Sequence, residues 1–196
     1  MLGLLDEAPM HGYELRTRLK AVLGAFRAFS YGSLYPTLRR MRERGWIVEG
    51  EPDPDATAPA LTGRRGKVVY RLTAEGKERL AELLAEAGPA AYDDEGFGVH
   101  FAFFAQTDAD VRLRILEGRR RRVEERRDGL RAALARTREK LDRYTLQLQE
   151  HGLDAVEREV RWLNELIETE RAGRGRAPGR TTDQGRDGTD QTDATS

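Results

Sequence analysis

The stretch Gly32-Ser-Leu-Tyr-Pro-Thr-Leu-Arg-Arg-Met-Arg-Glu-Arg-Gly45 decides the fold. At the helical rotation per residue, Leu34, Leu38 and Met41 fall on one face, while Gly32, Ser33, Pro36, Arg39 and Arg40 fall on the other. Gly45 stands where a left-handed C′ residue ends a helix. Ser30 and Ser33 both qualify as N-cap. Ser33 would put Pro36 in the first turn, where its missing N–H costs nothing, and Ser30 would put it deep enough to kink the helix. A helix with an apolar back, a small polar N-terminus and a basic front suits entry into a major groove about 12 Å wide.

On the N-terminal side, Leu2, Leu4 and Leu5 form a short apolar segment that ends at the breaker Glu7-Ala-Pro9. Leu15, Leu19, Val22 and Leu23 then give a helix starting near His11. Downstream, Trp46-Ile-Val48 reads as a strand, and Val68, Tyr70 and Leu72 alternate with Val69 and Arg71 as a half-buried strand does. Thr73 is the expected N-cap of a further helix with Leu80, Leu83, Leu84 and Ala87 on its buried stripe. The order helix, helix, helix, strand, basic loop, strand, helix is that of a winged helix-turn-helix.

The whole chain of 196 residues balances 34 Lys+Arg against 34 Asp+Glu, with 35% charged and 38% hydrophobic residues and no cysteine. The cysteine count excludes disulfide scaffolds and Cys-based zinc sites. No apolar run reaches the roughly 18–20 residues of a membrane span, so a cytoplasmic protein without membrane contact is expected. Zero net charge hides an uneven distribution. Residues 10–47 hold Arg16, Arg18, Lys20, Arg27, Arg39, Arg40, Arg42 and Arg44 against Glu14 and Glu43, and residues 62–72 add Arg64, Arg65, Lys67 and Arg71 with no acid. Between them lie Glu49, Glu51, Asp53 and Asp55. Such basic faces suit double-stranded DNA, although they also serve simply to keep a small helical domain in solution.

Five blocks carry a resemblance: Leu2-Gly-Leu-Leu5, Pro9-Met-His-Gly-Tyr-Glu-Leu15, Gly32 to Arg40, Gly45-Trp-Ile47, and Gly66-Lys-Val-Val-Tyr70 with Leu72-Thr-Ala-Glu-Gly76. In this order they resemble the PadR family of bacterial transcriptional regulators. The resemblance implies a DNA-binding winged helix, a C-terminal helical region that forms a homodimer, and a recognition helix starting near Ser33. It puts Arg64, Arg65 and Lys67 on the wing. The chain departs from the family pattern in two places. It begins at Met1-Leu-Gly3, where members usually have several more residues, so either the first helix is short or the start lies upstream. The wing loop is also longer than usual, through Asp53 to Pro59.

DNA contacts are therefore expected from Ser33, Tyr35, Pro36, Arg39, Arg40, Arg64, Arg65 and Lys67. Ser33 and Tyr35 have hydroxyls near a helix N-terminus that favours phosphate, and arginines can bind phosphate or take guanine bidentately. Tyr13 and Tyr70 read as packing or as phosphate contacts. Residues 89–107 gather Tyr92, Phe97, Phe101, Phe103 and Phe104, with Phe97, Phe101 and Phe104 at helical spacing. Together with Trp162 they form either interface core or the wall of a pocket for a small aromatic effector, as the family's sensing members would use. His100 reads as a packing residue.

From Asp108 a long helix is expected up to a break at His151-Gly152, with a heptad-like seam through Leu116, Val123, Leu130, Leu134, Leu141, Tyr144 and Leu148. Arg120, Arg127 and Thr137 interrupt the seam, and the run Arg119–Arg122 reads as a solvated face. Leu153, Val156, Val160, Leu163 and Ile167 mark a second helix. The expected organisation is mainly α: a winged helix-turn-helix over 1–88 (three helices, two-stranded wing, linking helix), an aromatic connector over 89–107, a long-helix dimerisation region over 108–171 and a disordered tail over 172–196. The function expected is a ligand- or signal-responsive repressor that binds a palindromic operator as a homodimer. The alternative is a protein-interaction adaptor using the same surfaces without DNA. No enzyme is expected: His11, His100 and His151 are scattered, and Gly63-Arg-Arg-Gly-Lys67 fails the phosphate-loop spacing, so no catalytic set, cofactor or metal site assembles.

Overall fold

A computed structural model describes residues 1–24, 33–50 and 68–175 of the chain. The N-terminal part runs α1 (Leu2–Glu7), β1 (Met10–His11), α2 (Gly12–Leu23), α3 (Leu34–Glu43), β2 (Ile47–Gly50), β3 (Val69–Leu72) and α4 (Ala74–Ala85). This is the winged-helix order with one addition. Met10 and His11 form a strand paired antiparallel with Tyr70 and Val69, so the sheet has three strands in the order β1-β3-β2. Two residues are too few to show a strand period, which is why the region around Pro9 reads in sequence only as a break. The added strand makes β3 central, and Val69 is buried beside Tyr70 where strict alternation would expose it.

Ser33 is the N-cap residue of α3, which places Pro36 in the first turn. Gly45 adopts φ +73°, its N–H donates to the Arg42 carbonyl, and the Trp46 N–H donates to the Met41 carbonyl, both at 2.9 Å. That pair of bonds is the Schellman ending, which satisfies carbonyls a helix terminus leaves open. Thr73 joins this turn to α4. Its hydroxyl donates to the Gly45 carbonyl at 2.6 Å and accepts from the Gly76 N–H at 3.0 Å. Ala87 lies beyond α4 and packs on a second core instead of extending the helix stripe.

The rest comprises α5 (Pro89–Tyr92), α6 (Phe97–Phe101), a 3-10 turn (Phe104–Gln106), α7 (Ala109–Thr137), a 3-10 turn (Arg138–Lys140) and α8 (Arg143–Gly175). The break between the long helices is therefore at 138–142 and not at His151-Gly152. Asp142 Oδ1 accepts the N–H groups of Tyr144 and Thr145 at 2.9 and 3.0 Å, which starts α8. Gly152 sits inside α8 with open space around it, so its cost is only the roughly 1 kcal/mol of an interior glycine. Helix α8 also extends through Gly175, past the residue 172 at which the tail was expected to begin; positions 176–196 lie outside the described residues.

Ion pairs Arg112–Glu170, Arg119–Glu159 and Arg138–Glu150 run in opposite sequence order, so α7 and α8 are antiparallel. Arg119 corrects the expectation of a solvated arginine run. It is buried between the helices, bonded to Glu159 and to Asp94, and stacked on the Phe97 ring at 5.3 Å. Burial alone would lower its pKa, but the hydrogen bonds to Asp94 and Glu159 outweigh that and raise it, while the guanidinium's hydrogen bond lowers that of Asp94.

Two apolar cores result. One holds Leu2, Leu4, Leu5, Met10, Leu15, Leu19, Leu38, Met41, Ile47 and Tyr70, and the other holds Phe97, Val111, Ile115, Leu116, Val160, Leu163 and Ile167. The segment between α6 and α7 touches both. Phe103 belongs to the first core and packs so closely on α1 that a Cβ at Gly3 would lie 2.5 Å from its ring, while Phe101 and Phe104 pack on the second.

Candidate nucleic-acid interface

Leu34, Leu38 and Met41 anchor α3 in the first core, so its opposite face is turned outward by the helix period alone. Ser33, Tyr35, Pro36, Arg39 and Arg40 are all exposed on it, and the structure brings these five together as one surface. The Tyr35 ring stands against Gly12, where a Cβ would approach it to 3.3 Å. Tyr13 on α2 is 60% exposed, whereas Tyr70 is buried, which assigns it to packing. Burial, with Glu49 and Tyr35 nearby, raises the Tyr70 pKa, so its phenol is neutral at pH 7. The wing residues Arg64, Arg65 and Lys67 lie outside the described residues.

Two side chains that the sequence reading passed over organise the arginines. Arg39 Nε donates to Glu43 Oε1 at 2.8 Å, and Arg40 Nη2 donates to Thr37 Oγ1 at 3.1 Å. The signal was present as i,i+4 and i,i+3 spacing on one helix. Arg42 donates to Glu49 on β2 at 2.6 Å, and the Arg44 guanidinium stacks 4.8 Å from the Trp46 ring centre. Of the four arginines on α3 and its cap, Arg42 is tied to the sheet and Arg44 to the tryptophan.

The aromatic residues singled out in the second half also meet. Phe101 lies 5.6 Å from Phe97, 5.0 Å from Phe104 and 5.3 Å from Trp162, centre to centre. Beside them, burial lowers the His100 pKa against the opposing pull of Glu86 and Asp93. A cavity of about 350 Å³ opens elsewhere, between α1, α4 and the start of α7, lined by Asp6, Lys77, Leu84, Gln106 and Val111. Among the described residues no helix is long and apolar enough to cross a membrane, and no cluster of His, Asp and Glu is placed to hold a metal ion.

Known proteins align with this chain. The Probable transcriptional regulator Rv1176c of Mycobacterium tuberculosis is 31% identical over 114 residues, covering 58% of this chain and 56% of that protein. The Negative transcriptional regulator PadR of Bacillus subtilis is 28% identical over 90 residues, 45% of each chain. The chain thus spans about half the length of the curated relatives it matches. A crystal structure of Bacillus subtilis PadR in complex with operator DNA aligns over 86% of this chain and 96% of that one, at 19% identity and a TM-score of 0.38. Residues 1–82, the whole of the winged helix up to α4, match the Transcriptional regulator PadR-like family. It is through these residues that the chain is similar to the PadR-like family of transcriptional regulators.

Proposed function

We propose that the protein binds double-stranded DNA sequence-specifically through α3 and regulates transcription as a homodimer. The observation that carries this is the division of α3 into a back buried in the core and a front that exposes Tyr35, Pro36, Arg39 and Arg40. A helix so mounted can enter a major groove, with arginine forks available to guanine or phosphate. Arg64, Arg65 and Lys67, which the family resemblance puts on the wing, add phosphate contacts, which give salt-dependent affinity with little sequence reading.

Dimerisation is supported by the unfinished seam of the long helices. Leu116 and Val123 are buried within the chain, but Tyr144 and Leu148 are 80% and 66% exposed at the start of α8. Apolar side chains so placed suit burial by a second copy, and a two-fold dimer presents two copies of α3 to a palindrome. The name of the Bacillus subtilis relative favours repression as the sign of regulation. Release by a small aromatic effector is the accompanying reading: a planar molecule inserted among Phe97, Phe101, Phe104 and Trp162 would shift the segment that Phe103 ties to α1.

Selection of bound duplexes from a random pool tests this reading. The expected product is an inverted repeat with half-site centres about 34 Å apart, one helical turn or a multiple of it. Recovery of no sequence preference, or of a single asymmetric site bound by one chain, would overturn it.

A further inference from the structure

Arg39 and Arg40 are neighbours on the exposed front of α3, yet they are held differently. Glu43 takes the Nε hydrogen of Arg39 and leaves its two terminal nitrogens for another acceptor. Thr37 instead takes a hydrogen from Nη2 of Arg40, one of the terminal nitrogens. Guanine is read in the major groove by two parallel donors aimed at O6 and N7, and a fork whose Nε is already fixed is pre-oriented to supply both. A fork tied to its own helix through one of the two hydrogens on a terminal nitrogen is less free to aim a donor pair, and suits a single phosphate oxygen. Tyr35, Arg39 and Glu43 also form one i, i+4, i+8 row, so Glu43 continues the line of the side chains expected in the groove.

Helix stability does not account for Glu43. It occupies the last turn, where the helix dipole disfavours an anion, and the arginine precedes the glutamate, the weaker order for such a pair. A carboxylate on a DNA-facing row also repels phosphate. A residue with these local costs is explained by what it does to Arg39. We propose that Arg39 is the guanine-reading residue, that Glu43 is the positioning residue that aims it, and that Arg40 is a phosphate contact. The assignment rests on the reading of α3 as the DNA-binding helix.

The test uses the full chain and the duplex selected from a random pool, together with its single base-pair variants and an unrelated duplex. Arg39→Ala should flatten discrimination at one G·C pair per half-site by about 10-fold or more. Arg40→Ala should weaken binding to every duplex alike and reduce the salt slope by about 1. Glu43→Ala should lower discrimination at the Arg39 pair by about 3-fold or more, yet strengthen binding to the unrelated duplex because an anion is gone. Glu43→Gln keeps an acceptor for Nε without the charge, so it should strengthen unrelated binding equally while retaining discrimination. A merely structural ion pair would not separate these two variants.

Full discrimination in Glu43→Ala, or relaxed specificity from Arg40→Ala in place of Arg39→Ala, overturns the assignment. If the wild-type protein selects no sequence, or an Arg39→Ala/Arg40→Ala variant binds as well as wild type, the reading of α3 itself fails and takes the assignment with it.

Discussion

At residue scale Gly76 is tightly constrained by backbone. A Cβ there would lie 2.0 Å from the Trp46 carbonyl oxygen, which is backbone and cannot swing away. Gly76→Ala should therefore destabilise the domain by about 3 kcal/mol or more, read as a lower urea midpoint. Thr73→Ala removes both the cap of α4 and the bond to Gly45, and should cost about 1–2 kcal/mol by the same measurement. Burial lowers the His100 pKa, so the fold favours its neutral form. That contribution is complete above the ordinary histidine pKa of about 6.5 and is lost as pH falls from there toward the lower folded value. The thermal midpoint of the wild-type protein should consequently drop more between about pH 7 and pH 5 than that of His100→Gln. Parallel curves would show that His100 contributes nothing to acid sensitivity.

The elements were legible in sequence wherever one signal governed them. The α3 back of Leu34, Leu38 and Met41, the glycine ending at Gly45 and the Thr73 cap all follow from local spacing and are found as expected. The break between the long helices did not follow, because Gly152 is a visible helix breaker whose cost tertiary packing absorbs, whereas the decisive Asp142 cap resembles any surface acid. Arg119 was illegible for a related reason. Within Arg119–Arg122 nothing local marks one arginine as buried, and its partners Asp94 and Glu159 come from distant segments. The exposed front of α3 was readable, but the bonds from Arg39 to Glu43 and from Arg40 to Thr37 carry only the i,i+4 and i,i+3 spacing that any polar helix face shows. Arg119→Met should cost about 3 kcal/mol by leaving Glu159 unpaired between α7 and α8, and the double variant Arg119→Met/Glu159→Met should recover most of that loss. Equal stability of the single and double variants would show that the pair carries no coupling.

For the whole molecule, zero net charge conceals a protein with a basic front on one helix and an apolar patch at the distal end of another. Among the described residues both stay exposed. The patch around Tyr144 and Leu148 suits a second copy, so Leu148→Glu should shift the protein toward monomer in analytical ultracentrifugation while leaving the urea midpoint of the winged helix nearly unchanged. Such a monomer should bind the selected duplex far more weakly than the dimer, since it loses simultaneous engagement of two half-sites. The most direct measurement of the central claim is the affinity of the wild-type protein and of Arg39→Ala/Arg40→Ala for that duplex across a range of salt concentrations. The account predicts that wild-type affinity falls steeply with salt, and that the variant binds at least about 10-fold more weakly with a shallower slope. Affinity independent of salt, or the same in both proteins, would contradict it.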